Sequence, residues 1–109
     1  MALVLEKITG NKYVILYDIA VAVGASMTVA APAGLTYIVQ NIACDKAFEV
    51  RQVNAATLDL LINECTDTDG GSVEFSELYA HSSAYSYLSI KNTDGAATMQ
   101  CVVHAIETQ

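Results

Sequence analysis

The stretch TDTDGG, residues 66–71, carries two aspartates two positions apart and is the first candidate for metal chemistry. A calcium loop of the EF-hand type needs oxygen ligands at positions 1, 3 and 5, a glycine at position 6 and a glutamate at position 12. With Asp67 at position 1, position 6 falls on Ser72 and position 12 on Leu78, which has no side-chain oxygen. Because this register fails, the stretch predicts a polar hairpin loop, with aspartates capping backbone amides and glycines at positive φ.

Other carboxylates give no stronger signal for a metal ion or an acid–base pair. A weak surface cation site that uses Asp67, Asp69 and Glu64 stays open as an alternative to the plain loop. Glu74 and Glu77 lie in a segment that predicts a strand, and nothing in the sequence places them in a cleft. We therefore expect no metal and no cofactor.

The two histidines, His81 and His104, are far apart in the chain. A serine nucleophile needs a base and an orienting carboxylate close by. Ser82 and Ser83 adjoin His81, but neighbouring residues of an extended chain point to opposite sides, and no G-x-S-x-G elbow surrounds them. The sequence thus predicts a loop histidine beside loop serines, and a protein that is not an enzyme.

Cys44, Cys65 and Cys101 are odd in number and widely spaced, without the paired spacing of a zinc site. We expect three free, mostly buried thiols in a reducing compartment. One disulfide with one free thiol is the alternative.

The amino-acid composition and the net charge limit the kind of fold that the chain can form and the classes of partner that it can bind. The chain has 109 residues, a net charge of −7 and 53% hydrophobic residues, which fits one folded domain and excludes a disordered chain. The five basic residues are scattered, so no positive footprint for nucleic acid exists. Residues 19–44 are uncharged, but polar residues, glycine and proline interrupt them, so we expect strands around a turn rather than a membrane span. The apolar excess indicates a subunit that buries surface against neighbours or, alternatively, a core rich in alanine and valine.

Short β-branched and aromatic runs, separated by Gly, Asn, Asp and Ser, replace any helical periodicity. They cover residues 2–8, 12–23, 26–31, 35–44, 47–53, 57–65, 72–78, 84–92 and 97–107. The second run is either one bent strand or two. The fold expected is all-β: a single-domain antiparallel β-sandwich over residues 1–109, jelly-roll-like, with about eight or nine strands. Residues 1–8 form either an N-terminal arm or an edge strand.

Alternation within the runs predicts which residues face the core. Phe48 and Val50 are expected inward, as are Val73 and Phe75, Leu88 and Ile90, and Met99, Cys101, Val103 and Ala105. In residues 57–65, Leu58, Leu60 and Ile62 are expected on one face and Asp59 and Asn63 on the other.

Tyrosine supplies the clearest interface signal, because it has an apolar body and a polar tip. Tyr85 and Tyr87 are two positions apart in one predicted strand and are expected together on its outward face. We interpret them as interface candidates; the alternative is that they are ordinary solvent-facing residues.

Two segments go beyond composition. In VAAPAGLTYIVQNIAC, residues 29–44, a PAG-x-T turn leads into a strand with a V-x-x-I core. In residues 87–107, an apolar strand, an Asn-Thr-Asp-Gly-Ala turn at residues 92–96 and a final strand have the pattern of a closing hairpin. The matching residues of the first segment are Pro32, Ala33, Gly34, Thr36, Val39 and Ile42. About a third of the chain in this way resembles small β-sandwich virion proteins of tailed phages, of the head decoration (cement), head-fibre or tail-adaptor type.

The resemblance implies a non-enzymatic structural protein of the virion, made in the host cytoplasm and bound to the capsid surface. It implies a homotrimer that binds the major capsid protein and stabilises the head. An apolar arm with Leu3, Leu5 and Ile8 would then add to a neighbour's sheet edge. The alternative function is a carbohydrate- or receptor-binding module of a phage fibre or a bacterial protein, with Tyr85 and Tyr87 as a stacking platform.

Overall fold

The computed structural model describes residues 2–6, 12–54 and 57–108, with side chains described from residue 12 onward. These residues contain no helix and form nine strands. The strands are β1 (Ala2–Glu6), β2 (Lys12–Val21), β3 (Ser26–Val29), β4 (Thr36–Cys44), β5 (Phe48–Asn54), β6 (Asp59–Cys65), β7 (Gly71–Ala80), β8 (Ser86–Asn92) and β9 (Met99–Thr108). Each of the nine runs of the sequence corresponds to one strand, and turns with glycines at positive φ, Gly24, Gly34 and Gly70, precede β3, β4 and β7.

The strands form two antiparallel sheets in the order of a jelly roll. The five-stranded sheet runs β1-β2-β9-β4-β7, and the four-stranded sheet runs β3-β8-β5-β6. Strands β2 to β9 alone give two facing four-stranded sheets of this pattern, and β1 is added outside β2. The predicted all-β sandwich with a jelly-roll arrangement is confirmed.

Only β1–β2 and β5–β6 are consecutive strands that pair with each other among the strands described. Every other connection between described strands crosses from one sheet to the other. The predicted hairpin at residues 66–71 is therefore wrong, because β6 and β7 belong to different sheets. The expected closing hairpin at residues 93–96 is wrong for the same reason, since it connects β8 to β9. Local turn chemistry does not encode whether the next strand pairs with the last one or faces it.

The core lies between the sheets and follows the period-two alternation of each strand. Phe48, Val50, Leu88 and Ile90 are completely buried, and Val73 and Phe75 are partly buried against the same cluster. The inward face of β9 is buried as predicted, at Met99, Cys101, Val103 and Ala105.

The turn at Asp67–Gly70 has the chemistry that the sequence predicts. The Asp69 backbone N–H donates to Asp67 Oδ1 at 2.9 Å, and the Gly70 N–H donates to the Asp67 carbonyl at 2.9 Å. Gly70 has φ 79°, and a Cβ at this position would lie 2.1 Å from the Cys44 carbonyl oxygen. Glycine is required here both by the backbone conformation and by the close approach of the chain after β4.

The turn after β8 is built around the buried Asn92. Its Nδ2 donates to the carbonyls of Val21 at 3.0 Å and Ala97 at 2.9 Å, and its Oδ1 accepts the Asp94 N–H at 2.9 Å. Asp94 Oδ2 in turn accepts the backbone N–H groups of Ala96 and Ala97. These two hydrogen bonds, Ala96 first, lower the pKa of Asp94.

The cysteines differ from the expectation of three free thiols. Cys44 and Cys101 face each other across β4 and β9, with Cα atoms 4.2 Å apart, and form a disulfide. Cys65 is the free cysteine of the described residues. The alternative of one disulfide and one free thiol is therefore the correct one. Sequence spacing could not show this, because strand pairing aligns two residues 57 positions apart.

Residues 1–8 are expected to form either an N-terminal arm or an edge strand, and the described residues 2–6 form an edge strand. β1 pairs antiparallel with β2, from Ala2 opposite Leu16 to Glu6 opposite Lys12. The interface predictions for Leu3 and Leu5 fall on this strand, whose side chains are not described, and Ile8 lies outside the described residues. Their role in an interface stays a prediction.

Candidate interaction surface

Strand β6 carries the largest group of exposed aliphatic side chains in the described chain. It pairs with β5 on one side and forms the edge of the four-stranded sheet on the other. Leu58, Leu60, Leu61 and Ile62 are 37%, 54%, 42% and 36% exposed. We call these four residues, together with the unpaired backbone side of β6, the β6 edge. An apolar edge with free backbone groups is a template for pairing with another chain unless it is blocked.

The expected alternation in this strand is wrong. Val50 faces Asn63 whereas the next residue of β5, Arg51, faces Leu61, so Ile62 is an extra residue in β6. This bulge places Asn63 on the same face as Leu60, which faces Gln52, instead of the opposite face. Leu58, Leu60 and Ile62 are all exposed, because the edge position leaves both sides of the strand accessible.

Four charged side chains lie on the outward face beside the β6 edge: Glu49, Arg51, Asp59 and Glu64. Arg51 Nε donates to Glu49 Oε2 at 2.8 Å, and Arg51 Nη1 donates to Asp59 Oδ1 at 3.1 Å. These hydrogen bonds, the one to Glu49 first and the one to Asp59 second, raise the pKa of Arg51. Glu64 is exposed and faces Glu49 across the ladder. Glu49 and Glu64 therefore lie side by side at the sheet edge, and the hydrogen bonds of Arg51 go to Glu49 and Asp59.

The sequence predicts Tyr85 and Tyr87 on one face of the same strand, but only Tyr87 lies in that strand. Tyr85 is 72% exposed, but it lies in the turn before β8, where its N–H donates to the Ser82 carbonyl. Tyr87 lies in β8 opposite Val53 and is half-buried. The two rings thus belong to different local structures, because β8 begins at Ser86 and not at residue 84. The structure does not test whether either one contacts a partner.

A shallow groove of about 600 Å³ crosses the outer face of the five-stranded sheet. Tyr17, Val102, Ala43 and Ser72 form one cross-strand row in its lining, and Asp18, Asp45 and Asp69 also line it. Two of the aspartates serve the backbone: Asp18 Oδ1 accepts the Ala20 N–H, and Asp45 Oδ1 accepts the Gln100 N–H. These two hydrogen bonds hold the backbone near the end of β2 and the start of β9. Among the residues that line the groove, no side chain is placed for a reaction.

The candidate catalytic and metal residues remain separate. His81 Nδ1 lies 3.3 Å from Thr36 Oγ1, and no carboxylate bonds to His81 in the part of the chain that the structure describes. Ser82 is buried, and His104 is exposed on the outer side of β9. Residues 12–54 and 57–108 contain no group of three or more His, Cys, Asp or Glu side chains placed to hold a metal ion. No helix among them is long and apolar enough to cross a membrane.

Comparisons with known proteins add no assignment. No protein-family model matches the chain, and no match is found among curated proteins. The function must therefore be argued from the geometry above and from the resemblance of short segments.

The β6 edge is the feature that sequence reasoning missed, although a signal was present. The run Leu60-Leu61-Ile62 is continuously apolar, whereas a strand with one buried face alternates apolar and polar residues. Such a run is usual in a strand that is buried on both faces, whereas β6 lies at a sheet edge and exposes these residues.

Proposed function

We propose that the protein is a non-enzymatic structural protein of a phage virion, a decoration (cement) protein that binds the major capsid protein at the head surface. The observation that supports an interaction role is the β6 edge, with four large aliphatic side chains exposed at an edge strand. Such a surface suits binding to another chain and has no use in a free monomer. The resemblance of residues 29–44 and 87–107 to small virion proteins of tailed phages supports the proposed class of protein.

The proposed mechanism is stabilisation by mass action. A subunit that binds the assembled shell and not its dissociated components shifts the equilibrium toward the shell. The net charge of −7 keeps decorated particles from adhering to one another and favours docking on basic patches. The Asp67–Gly70 turn contributes to this acidic exterior.

The N-terminal strand has a separable part in the proposal. β1 lies outside the eight strands that complete the jelly roll, so a chain that begins at residue 9 keeps both four-stranded sheets. Deletion of residues 1–8 should leave a folded sandwich and abolish binding to heads. If the truncated protein saturates heads with unchanged affinity, residues 1–8 have no role in docking.

The proposal is tested with heads of the source phage that have been stripped of accessory proteins. Adding the protein should raise the temperature at which these heads lose their DNA or dissociate. Light scattering coupled to size-exclusion chromatography should show a homotrimer, the assembly that fits a threefold site on a shell. A monomer that leaves the stability of the heads unchanged would contradict the proposal.

The rival function, a carbohydrate- or receptor-binding module, retains one supporting observation, the exposure of Tyr85. Sugar stacking on aromatic residues would alter tyrosine fluorescence when the sugar is added. A glycan array with a response that is lost in Tyr85→Ala, with heads left unbound, would favour the rival over decoration.

A further inference from the structure

From the charges beside the β6 edge, we infer that this edge receives an extended segment of a partner protein with a lysine or arginine facing Glu64 and an aliphatic residue two positions away, facing Leu61. The inference rests on the proposed use of the β6 edge for docking, and it specifies the chemistry of the partner. The partner strand would add to the four-stranded sheet by backbone pairing.

The first support is a row of charges across the outward face of the sheet. Lys91 of β8 faces Glu49 of β5, and Glu49 faces Glu64 of β6. Opposite charges that face each other across strands stabilise a sheet, and like charges that do so destabilise it. In this row, Lys91 and Glu49 carry opposite charges and face each other. Glu64, the outermost residue of the row, faces only a charge of its own sign. A cation on the next strand would face Glu64 and complete the row.

The second support is that no basic residue within 12–54 and 57–108 faces Glu64 from a neighbouring strand. Arg51, the nearest basic residue on β5, is already bonded to Glu49 and Asp59. Lys91 is one strand beyond Glu49. The outward face formed by Glu49, Arg51, Asp59 and Glu64 consequently keeps an excess of negative charge at the edge.

The third support is the neighbouring row, which fixes the position of the aliphatic residue. Leu61 faces Arg51, two residues along β5 from Glu49, so it lies on the same outward face as Glu64. Leu61 is 42% exposed. Because residues of a strand return to the same face every second position, a partner residue two positions from the cation faces Leu61.

A second copy of this chain fits the edge less well. The protein carries a net charge of −7, and β6 itself contains Asp59 and Glu64 but no basic residue. Pairing of β6 with β6 of another copy would bring four carboxylates to one seam. Charge complementarity thus favours a different, basic partner.

The test uses two synthetic peptides, Val-Thr-Lys-Thr-Val and Val-Thr-Glu-Thr-Val, each acetylated and amidated. Either chain direction places an aliphatic residue two positions from the central charge. Each is titrated at low salt into the isotope-labelled full chain, and amide shifts are followed by NMR. We expect shifts along β6 and roughly twofold to thirtyfold tighter binding of the lysine peptide, since its charge pairs favourably with Glu64 and the charge of the glutamate peptide pairs unfavourably.

The variant Glu64→Lys should reverse this preference, and Glu64→Gln should abolish it. Val23→Asp, in the turn between β2 and β3, is the matched control and should leave the preference as in the native chain. The inference is overturned if neither peptide shifts β6 at millimolar concentration, if the shifts lie on another edge, or if Glu64→Lys still prefers the lysine peptide. Loss of head stabilisation with peptide preference intact would reject the decoration role alone.

Discussion

Replacement of Gly70 by alanine should destabilise the fold several times more than the same replacement at Gly34. Both glycines have positive φ, 79° and 81°, so each alanine variant carries the strain of a left-handed backbone, about 1–2 kcal/mol. A Cβ at Gly34 has no atom within 4 Å, whereas a Cβ at Gly70 would lie 2.1 Å from the Cys44 oxygen and 2.6 Å from the Asp45 carbonyl carbon.

The chain around Gly70 must therefore open by about 1 Å to restore an ordinary contact between carbon and oxygen. Overpacking of this kind costs roughly 1–3 kcal/mol, and here the obstacle is backbone rather than a side chain that can rotate away. We expect a total loss of about 2–5 kcal/mol for Gly70→Ala and about 1–2 kcal/mol for Gly34→Ala.

Urea denaturation followed by circular dichroism measures both losses on the same footing. The midpoint of thermal unfolding of Gly70→Ala should fall about 10 °C or more below that of Gly34→Ala. Equal free energies of unfolding for the two variants, within about 0.5 kcal/mol, would refute the close approach of the turn to the end of β4.

Three other perturbations address the turn after β8 and the disulfide. Asn92→Ala should lower the free energy of unfolding by about 3 kcal/mol, because one buried and two partly buried backbone groups lose their side-chain partner; urea denaturation checks this, and a loss below about 1 kcal/mol contradicts it. The lowered pKa of Asp94 means that its carboxylate stabilises the fold above its ordinary value of 3.8 and that this contribution is lost as pH falls through the folded-state pKa. The stability gap between the native chain and Asp94→Asn, followed by acid titration, should therefore close below pH 3.8. Reduction of Cys44–Cys101, which are 57 residues apart, should lower the free energy of unfolding by up to about 4 kcal/mol, whereas Cys65→Ser should keep the response to reductant.

The strands could be predicted from the sequence because each is bounded by its own turn chemistry. The predicted run at residues 35–44 and the observed β4, Thr36–Cys44, differ by one residue. The last run shows the same agreement in its inward residues, Met99 to Ala105. These features depend on neighbours within a few residues, and the sequence contains that information directly.

Features set by strands far apart in the chain could not be predicted. The sequence predicts the hydrogen bonds of the Asp67–Gly70 turn correctly, but it does not predict that the turn connects strands of different sheets. Which sheet a strand joins depends on all nine strands. The disulfide was missed because only the β4–β9 register brings Cys44 opposite Cys101. The exposure of Leu60 was missed because alternation identifies a face but not whether another sheet covers it.

Sedimentation of heads with the native chain and with two aspartate variants tests the central claim most directly. Leu61→Asp places a charge in the β6 edge opposite Arg51, where the fold tolerates it, and Val23→Asp places the same charge in a remote turn. The native chain and Val23→Asp should sediment with heads to the same extent, and Leu61→Asp should remain in the supernatant while unfolding at the native temperature. Equal sedimentation of all three proteins, or of none, would contradict docking of the protein on the virion through strand β6.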